Sequence, residues 1–348
     1  MKKLVILLFL SSLFLISCRN DDKSDFDRFF IDKTLRINYI HTGNDIEESF
    51  TAKYLYDDGP WYGRTEHLQN PYRLGDYYYE LRDIESDEVL YSDGFSSYFR
   101  QWQNTLEAKI VKKSFNESIR VPYPAKNARL IMYRIDSLDV MRQVWEYVID
   151  KRARVFVEPT VSHNNRIVRL LDSGDPKKKV DIVILGDGYD DGETHAFDAD
   201  AVQFYKSLFQ FEPYKSRKDD FNIHAIQTPS EHGYNILKTS DGTFGHDRYV
   251  LTSDEWPFRD LATQSPYDYV VILVNTEKNC GGSLYNTYIT TAIHSQSNDY
   301  VINHEMGHHI AGVADEFYLN DDAQPTDSIV FSHDYEEIIN KVLDLYTK

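Results

Sequence analysis

The sequence predicts two folded parts in series: an antiparallel β-sandwich over residues 30–160, then a mixed α+β or α/β domain over residues 173–348. Three observations carry this. Short alternating runs punctuated by turn residues fill the first part. Continuous apolar runs separated by helical patterns fill the second. Between them lies a polar, breaker-rich segment, Asp172-Ser173-Gly174-Asp175-Pro176-Lys177-Lys178-Lys179, of the kind that joins domains. With 348 residues, 41% hydrophobic and 14% aromatic, the chain has apolar material for two cores and is not a disordered protein. Its formal charge of −18 repels phosphates, which sets nucleic acid aside as a partner. Acidity of this size suits an extracytoplasmic protein kept soluble by charge.

The N-terminus carries an export address. Lys2 and Lys3 precede an apolar run from Leu4 to Ile16, a secretory signal too short to span a bilayer as a mature helix. Its ending, Leu15-Ile16-Ser17-Cys18, resembles a bacterial lipobox, in which the cysteine is diacylated. The expectation is a lipoprotein signal peptide over 1–18, lipidation at Cys18 and a polar tether over 19–29. The membrane is expected to be an outer membrane, and the acidic pair Asp21-Asp22 resembles surface-export signals. Cys18 and Cys280 are the two cysteines of the chain. With Cys18 lipidated the fold has no disulfide, and Cys280 reads as a small buried side chain rather than a nucleophile.

In the first domain, Thr34–Ile40, Tyr77–Leu81 and Ala128–Ile135 alternate as strands do, and Trp61, Trp102 and Trp145 strengthen the reading. Asp58-Gly59-Pro60, Asp93-Gly94 and Pro122-Tyr123-Pro124 separate them as turns. No motif with chemistry appears there, and His41 and His67 read as surface or packing residues. In the second domain Val180–Leu185 is a buried strand ended by Gly186-Asp187-Gly188, which lacks the lysine and glycines of a phosphate loop. Phe197–Phe209 has helical spacing, and Phe221–Ile226 and Tyr269–Val274 are further strands.

The chemistry sits in Val301-Ile302-Asn303-His304-Glu305-Met306-Gly307-His308. Residues four apart share a helix face, so His304 and His308 aim at one metal while Glu305 faces a water beside it. Imidazoles hold zinc, zinc acidifies water, and a carboxylate moves the proton. Gly307 leaves room beside the metal helix, and Gly312 is suited to the left-handed residue that ends it. Two imidazoles need a third ligand. In metzincin-type sites a glycine three residues after the second histidine turns the chain, and the ligand follows three later. Here the glycine comes one residue late and Asp315 follows. Asp315 ranks ahead of Glu316, and a gluzincin arrangement through Glu336 or Glu337 ranks third. His309 points off the metal face, solvated or as a partner of a ligand.

These residues resemble the IgA peptidase family of bacterial zinc metallopeptidases over about 30–318. The likeness is carried by Val183–Tyr189, by Val274-Asn275 with Gly281-Gly282-Ser283, and by His304–His308 through Ala314-Asp315-Glu316-Phe317-Tyr318. The resemblance implies a β-rich N-terminal domain before a zincin-like catalytic domain. It also implies one zinc on His304, His308 and Asp315, Glu305 as general base, and a protein or peptide substrate. Immunoglobulin A is implied only by the family's name-giving member. Residues 320–348 do not read like the family's continuation, and the expectation is a shortened far wall of the cleft.

Residues 281–292 fit the edge strand that zincins pair with substrate, or an ordinary polar-faced strand. Tyr318, Tyr288 and His294 are candidate oxyanion donors. The rival reading is a lipid-anchored binding protein with a vestigial metal site, its aromatic first domain holding a glycan or protein. Glu305 favours the enzyme, because binding alone does not need it.

Overall fold

The computed structural model describes residues 24–136, 138–151, 165–228, 236–294, 298–313 and 333–347. The chain enters through α1 (Asp25–Phe29), whose Phe26 is buried in the sandwich core. Part of the stretch read as a tether is therefore helical and packed on the sandwich.

Two antiparallel sheets make the sandwich. One orders β2 (Glu48–Asp57), β1 (Phe30–Gly43) and β5 (Lys113–Pro124). The other orders β4 (Val89–Phe95), β3 (Tyr77–Asp83), β6 (Ala128–Ile135) and β7 (Met141–Ile149). Leu35, Ile37 and Tyr39 of β1 alternate inward and meet Tyr77, Tyr79 and Leu81 of β3 in one core. A short α2 (Tyr98–Gln103), capped by Ser97, follows β4. His41 proves to be a packing histidine of a particular kind. It is fully buried between Phe50 and Phe99, with Glu117 at 2.9 Å and Glu48 at 3.2 Å.

The second domain is built on β8 (Ile167–Leu171), β9 (Val180–Asp187), β10 (Phe221–Ile226), a β11 (Thr239–Asp241) and β12 (Val250–Thr252) hairpin, β13 (Tyr269–Val274), β14 (Gly281–Leu284) and β15 (Tyr288–Ala292). The main sheet runs β14-β15-β13-β9-β10-β8. Its four inner strands are parallel, and β14 and β8 are antiparallel at the edges. Helices α3 (Thr194–Leu208), α5 (Asn298–Ala311) and α6 (His333–Leu343) cover one face, and α4 (Glu255–Ala262) covers the other. Ile182 and Ile184 of β9 face the first set while Val183 and Leu185 face the second. Cover on both faces is why Val180–Leu185 is an unbroken apolar run.

The domains meet through β5 and α4. Ser118 Oγ donates to Glu255 at 3.0 Å, and Trp256 Nε1 donates to the Glu117 carbonyl at 3.1 Å. Arg36, fully buried in the sandwich, pairs with Asp58 and reaches Asp260 at 2.5 Å. A buried guanidinium needs such partners, since leaving it unpaired costs several kcal/mol (on the order of 3–5).

Candidate active site

Helix α5 carries the His-Glu-x-x-His segment across the covered face of the sheet, anchored by Ile302, Met306 and Ile310. Gly312 ends it at φ +57°, with its N–H donating to the His308 carbonyl at 2.9 Å. That is the left-handed stop the sequence predicts. Gly307 has a more specific role than general space. A Cβ there would lie 2.0 Å from the Tyr335 hydroxyl, so only glycine lets α6 cross at this point. Tyr335 uses the closeness to donate to the Asn303 carbonyl at 2.8 Å.

The two histidines converge. Nε2 of His304 and Nε2 of His308 lie 2.9 Å apart, with the rings perpendicular at 89°. Two nitrogens at about 2.0–2.1 Å from one zinc in a tetrahedron sit roughly 3.3 Å apart, so this pair is nearly in ligand position. Nδ1 of His308 donates to the Val313 carbonyl at 2.5 Å, which leaves the Nε2 lone pair for a metal. Nδ1 of His304 faces the Tyr300 hydroxyl at 3.5 Å, a long contact, and the two rings stack. A pair of imidazoles aimed at one point fits zinc. Among the described residues no third histidine, cysteine or carboxylate completes a ligand set. Asp315, Glu316 and Tyr318 lie outside the described residues, as does Cys18.

A cleft of about 470 Å³ opens over this helix face, lined by His304, Glu305 and His308 together with β14. Of residues 281–292 Gly281–Leu284 alone lies at the sheet edge, because β15 is an inner strand paired on both sides, and Gly281 N–H there donates to the Arg248 carbonyl at 3.0 Å. Gly281 approaches Val301 of α5, so β14 runs close to the metal helix with little side chain between. The Ser283 hydroxyl is buried with no hydrogen-bond partner among the described residues.

Several candidates fall away from the cleft. Tyr288 is fully buried in the core on the other face of the sheet, where its hydroxyl donates to the Thr252 carbonyl at 2.6 Å. It is not an oxyanion donor. His294 does not line the cleft and pairs with Asp200 at 3.1 Å. Glu336 and Glu337 do not line it either, because α6 presents Tyr335 to α5 and Glu337 pairs outward with Lys341. His309 is off the metal face as expected but is not solvated. It is fully buried, its Nδ1 3.0 Å from the Leu284 carbonyl, and desolvation lowers its pKa to about 3. It stays neutral and ties α5 to β14. Cys280 is free, buried and raised in pKa by burial, which suits an inert thiol.

Sequence reasoning missed the opposite wall. Gly75, Ser96 and Gln101 of the sandwich line the cleft, as do Phe244, Arg248 and Tyr249 of the β11–β12 region. The turn between β14 and β15 is sewn to the sandwich: Ser96 N–H donates to the Tyr285 carbonyl at 2.9 Å, and Asn286 Nδ2 donates to the Gly94 carbonyl at 2.9 Å. The first domain is thus part of the site.

A mixed sheet whose antiparallel edge strand borders a His-Glu-x-x-His helix presents the two imidazoles and the carboxylate that metal-dependent peptidases use. Residues 168–329 match the family model described as IgA Peptidase M64, and residues 25–146 match that of the Peptidase M64 N-terminus. The chain belongs to the IgA peptidase M64 family. A search of curated proteins gives no significant match.

Proposed function

We propose that the chain is a zinc-dependent endopeptidase of extracellular proteins, held through a lipid on Cys18 to a bacterial outer membrane. The observation that carries the catalytic reading is the 2.9 Å convergence of the two Nε2 atoms on the face of α5 that opens to the cleft. One zinc per chain would be held by His304, His308 and Asp315, with Glu316 the alternative third ligand just after the Gly312 turn. When bound, zinc supplies a Lewis acid that acidifies water and polarises the scissile carbonyl. Glu305, beside His304 in the same cleft, takes the proton from the attacking water and delivers it to the leaving amine. β14 offers an extended substrate the part of its edge beyond Gly281, since Gly281 N–H already donates to the Arg248 carbonyl at 3.0 Å. Tyr318 is the remaining candidate donor to the oxyanion.

Immunoglobulin A enters only through the family name and is one host protein to be tried. The test is digestion of an unbiased peptide library by the chain as purified, after chelation, and after zinc is restored. Cleavage that disappears on chelation and returns with zinc is expected. Cleavage indifferent to chelation rejects the metal reading, and an inert, zinc-loaded chain favours the binding-protein rival. The lipid anchor is tested by Cys18→Ser, which should leave the membrane fraction.

A further inference from the structure

Beside the cleft lies a second groove of about 430 Å³, walled by Tyr98, Trp102 and Phe115 of the sandwich and by Phe244. Phe244 lines both hollows, and α2 serves both as well, with Gln101 in the cleft and Trp102 in the groove. The two hollows therefore adjoin, with Phe244 as their shared wall. That residue is held at φ +60° between Gly242 and Gly245, a left-handed conformation costing a bulky side chain on the order of 1–2 kcal/mol. Strain of this kind persists where the surroundings hold it, often at binding sites. Here the ring packs on Tyr98 with centroids 4.9 Å apart.

The groove's charged groups already have partners. Trp102 Nε1 donates to Glu107 at 2.7 Å, and Lys113 pairs with the same carboxylate at 2.6 Å. The surface left for a ligand is mainly aromatic and aliphatic, with the Tyr98 and Ser253 hydroxyls at hand. On the rim Leu106 is 77% exposed, and nearby Ile110 is 82% exposed. Ile46, at 83%, stands on the turn after β1, where Asp45 N–H donates to the Ala108 carbonyl at 3.2 Å. Three of the four most exposed large apolar side chains among the described residues thus share one corner. Exposed apolar patches of this sort mark interaction surfaces.

We propose that this corner is an exosite that grips an extended, apolar stretch of the polypeptide substrate while another stretch of the same chain lies in the cleft. The proposal takes its occupant from the peptidase reading. The shared wall at Phe244 favours a ligand long enough to cover both hollows, as an unfolded polypeptide is. The exposed Leu106 and Ile110 at this corner favour apolar side chains over a glycan. A lipid surface fits less well for two reasons. The corner's exposed charges balance, Asp45, Glu47 and Glu107 against Lys109, Lys112 and Lys113, so it lacks the net basic collar that anionic membranes attract. The corner also sits at the Gly43 end of β1, a strand of 14 residues that spans about 45 Å, far from Phe30 where the chain enters the sandwich.

The test is the double variant Leu106→Glu/Ile110→Glu, both sites exposed enough to leave the melting temperature unmoved. The probe is fluorescein-labelled, reduced and carboxymethylated α-lactalbumin, an unfolded apolar polypeptide, bound to chelator-treated chain so that no cleavage is needed. The double variant should bind about tenfold more weakly than the unaltered chain. With zinc present, KM for the same polypeptide should rise by a similar factor at unchanged kcat, while kcat/KM for a short peptide that fills only the cleft stays constant. Equal binding by the two proteins, or binding by neither, overturns the exosite. Loss of binding to phosphatidylglycerol vesicles without loss of lactalbumin binding also overturns it and makes the corner a membrane contact. Exosite-dependent binding by a chain that never cleaves would count against the peptidase reading alone.

Discussion

Replacing Gly307 by alanine pits two effects of opposite sign against each other on the metal helix. On helix propensity alone, Gly307→Ala inside α5 stabilises by about 1 kcal/mol. The structure predicts the reverse. The added Cβ would lie 2.0 Å from the Tyr335 hydroxyl and 2.5 Å from two ring carbons, so the tyrosine must retreat by about 1.5 Å to reach ordinary contact. Tyr335 is only 6% exposed and packs with Ile339 and Leu343, so the ring moves only if α6 moves. Overpacking of this kind costs about 1–3 kcal/mol. Loss of the hydroxyl's bond to the Asn303 carbonyl removes about 1 kcal/mol more. Against the propensity gain, the net is a destabilisation of about 1–3 kcal/mol. Urea unfolding should show a lower midpoint at constant slope. In a Tyr335→Ala background the same substitution should become neutral or stabilising, because nothing is left to strike. A Gly307→Ala chain more stable than the unaltered one would refute this account of the α5–α6 crossing.

Asp181 and Asp268 supply a pH test of the second domain. Burial, then the charge of Asp268, pushes Asp181 up to about 9, while burial raises Asp268 to about 7 against the pull of Arg120 and Arg64. Folded values above the unfolded one mean that the folded state holds the extra protons. Stability is therefore fully present below the unfolded value and is lost as pH rises through about 7 and then 9. Unfolding free energy should fall from about pH 6 to pH 9.5, and Asp181→Asn should flatten most of that slope; an equally steep slope in the variant would assign it to other groups. At the proposed metal site, Asp315→Ala should reduce bound zinc per chain far more than Glu316→Ala. Loss in the second variant alone would move the third ligand to Glu316.

What could be read from the sequence follows from where each residue's partners lie. Val180–Leu185 was legible as a buried strand because both faces of β9 are covered, and every position records it. Gly312 was legible because a left-handed residue leaves a local signature. The convergence of His304 and His308 is a property of helical spacing alone. Gly307 was legible as room beside the metal helix, but what fills that room, Tyr335, is brought over by a second helix whose path no local pattern encodes. His309 was read as solvated or as a partner of a ligand because helical spacing gives direction but not depth, and β14 buries that side. Tyr288 was misread for a related reason, since period-two alternation gives two faces without saying which carries the metal. The sandwich wall of the cleft was invisible, because Gly75, Ser96 and Gln101 reach it only through domain packing.

The central claim is that Glu305 moves the proton at a zinc held by His304 and His308, and one comparison tests it most directly. Glu305→Gln and the unaltered chain are each measured for zinc per chain and for turnover of the same library-derived peptide. The variant should keep about one zinc, because no ligand is touched, and should lose turnover by roughly two to four orders of magnitude. A variant that holds its zinc and cleaves at the unaltered rate would contradict the account.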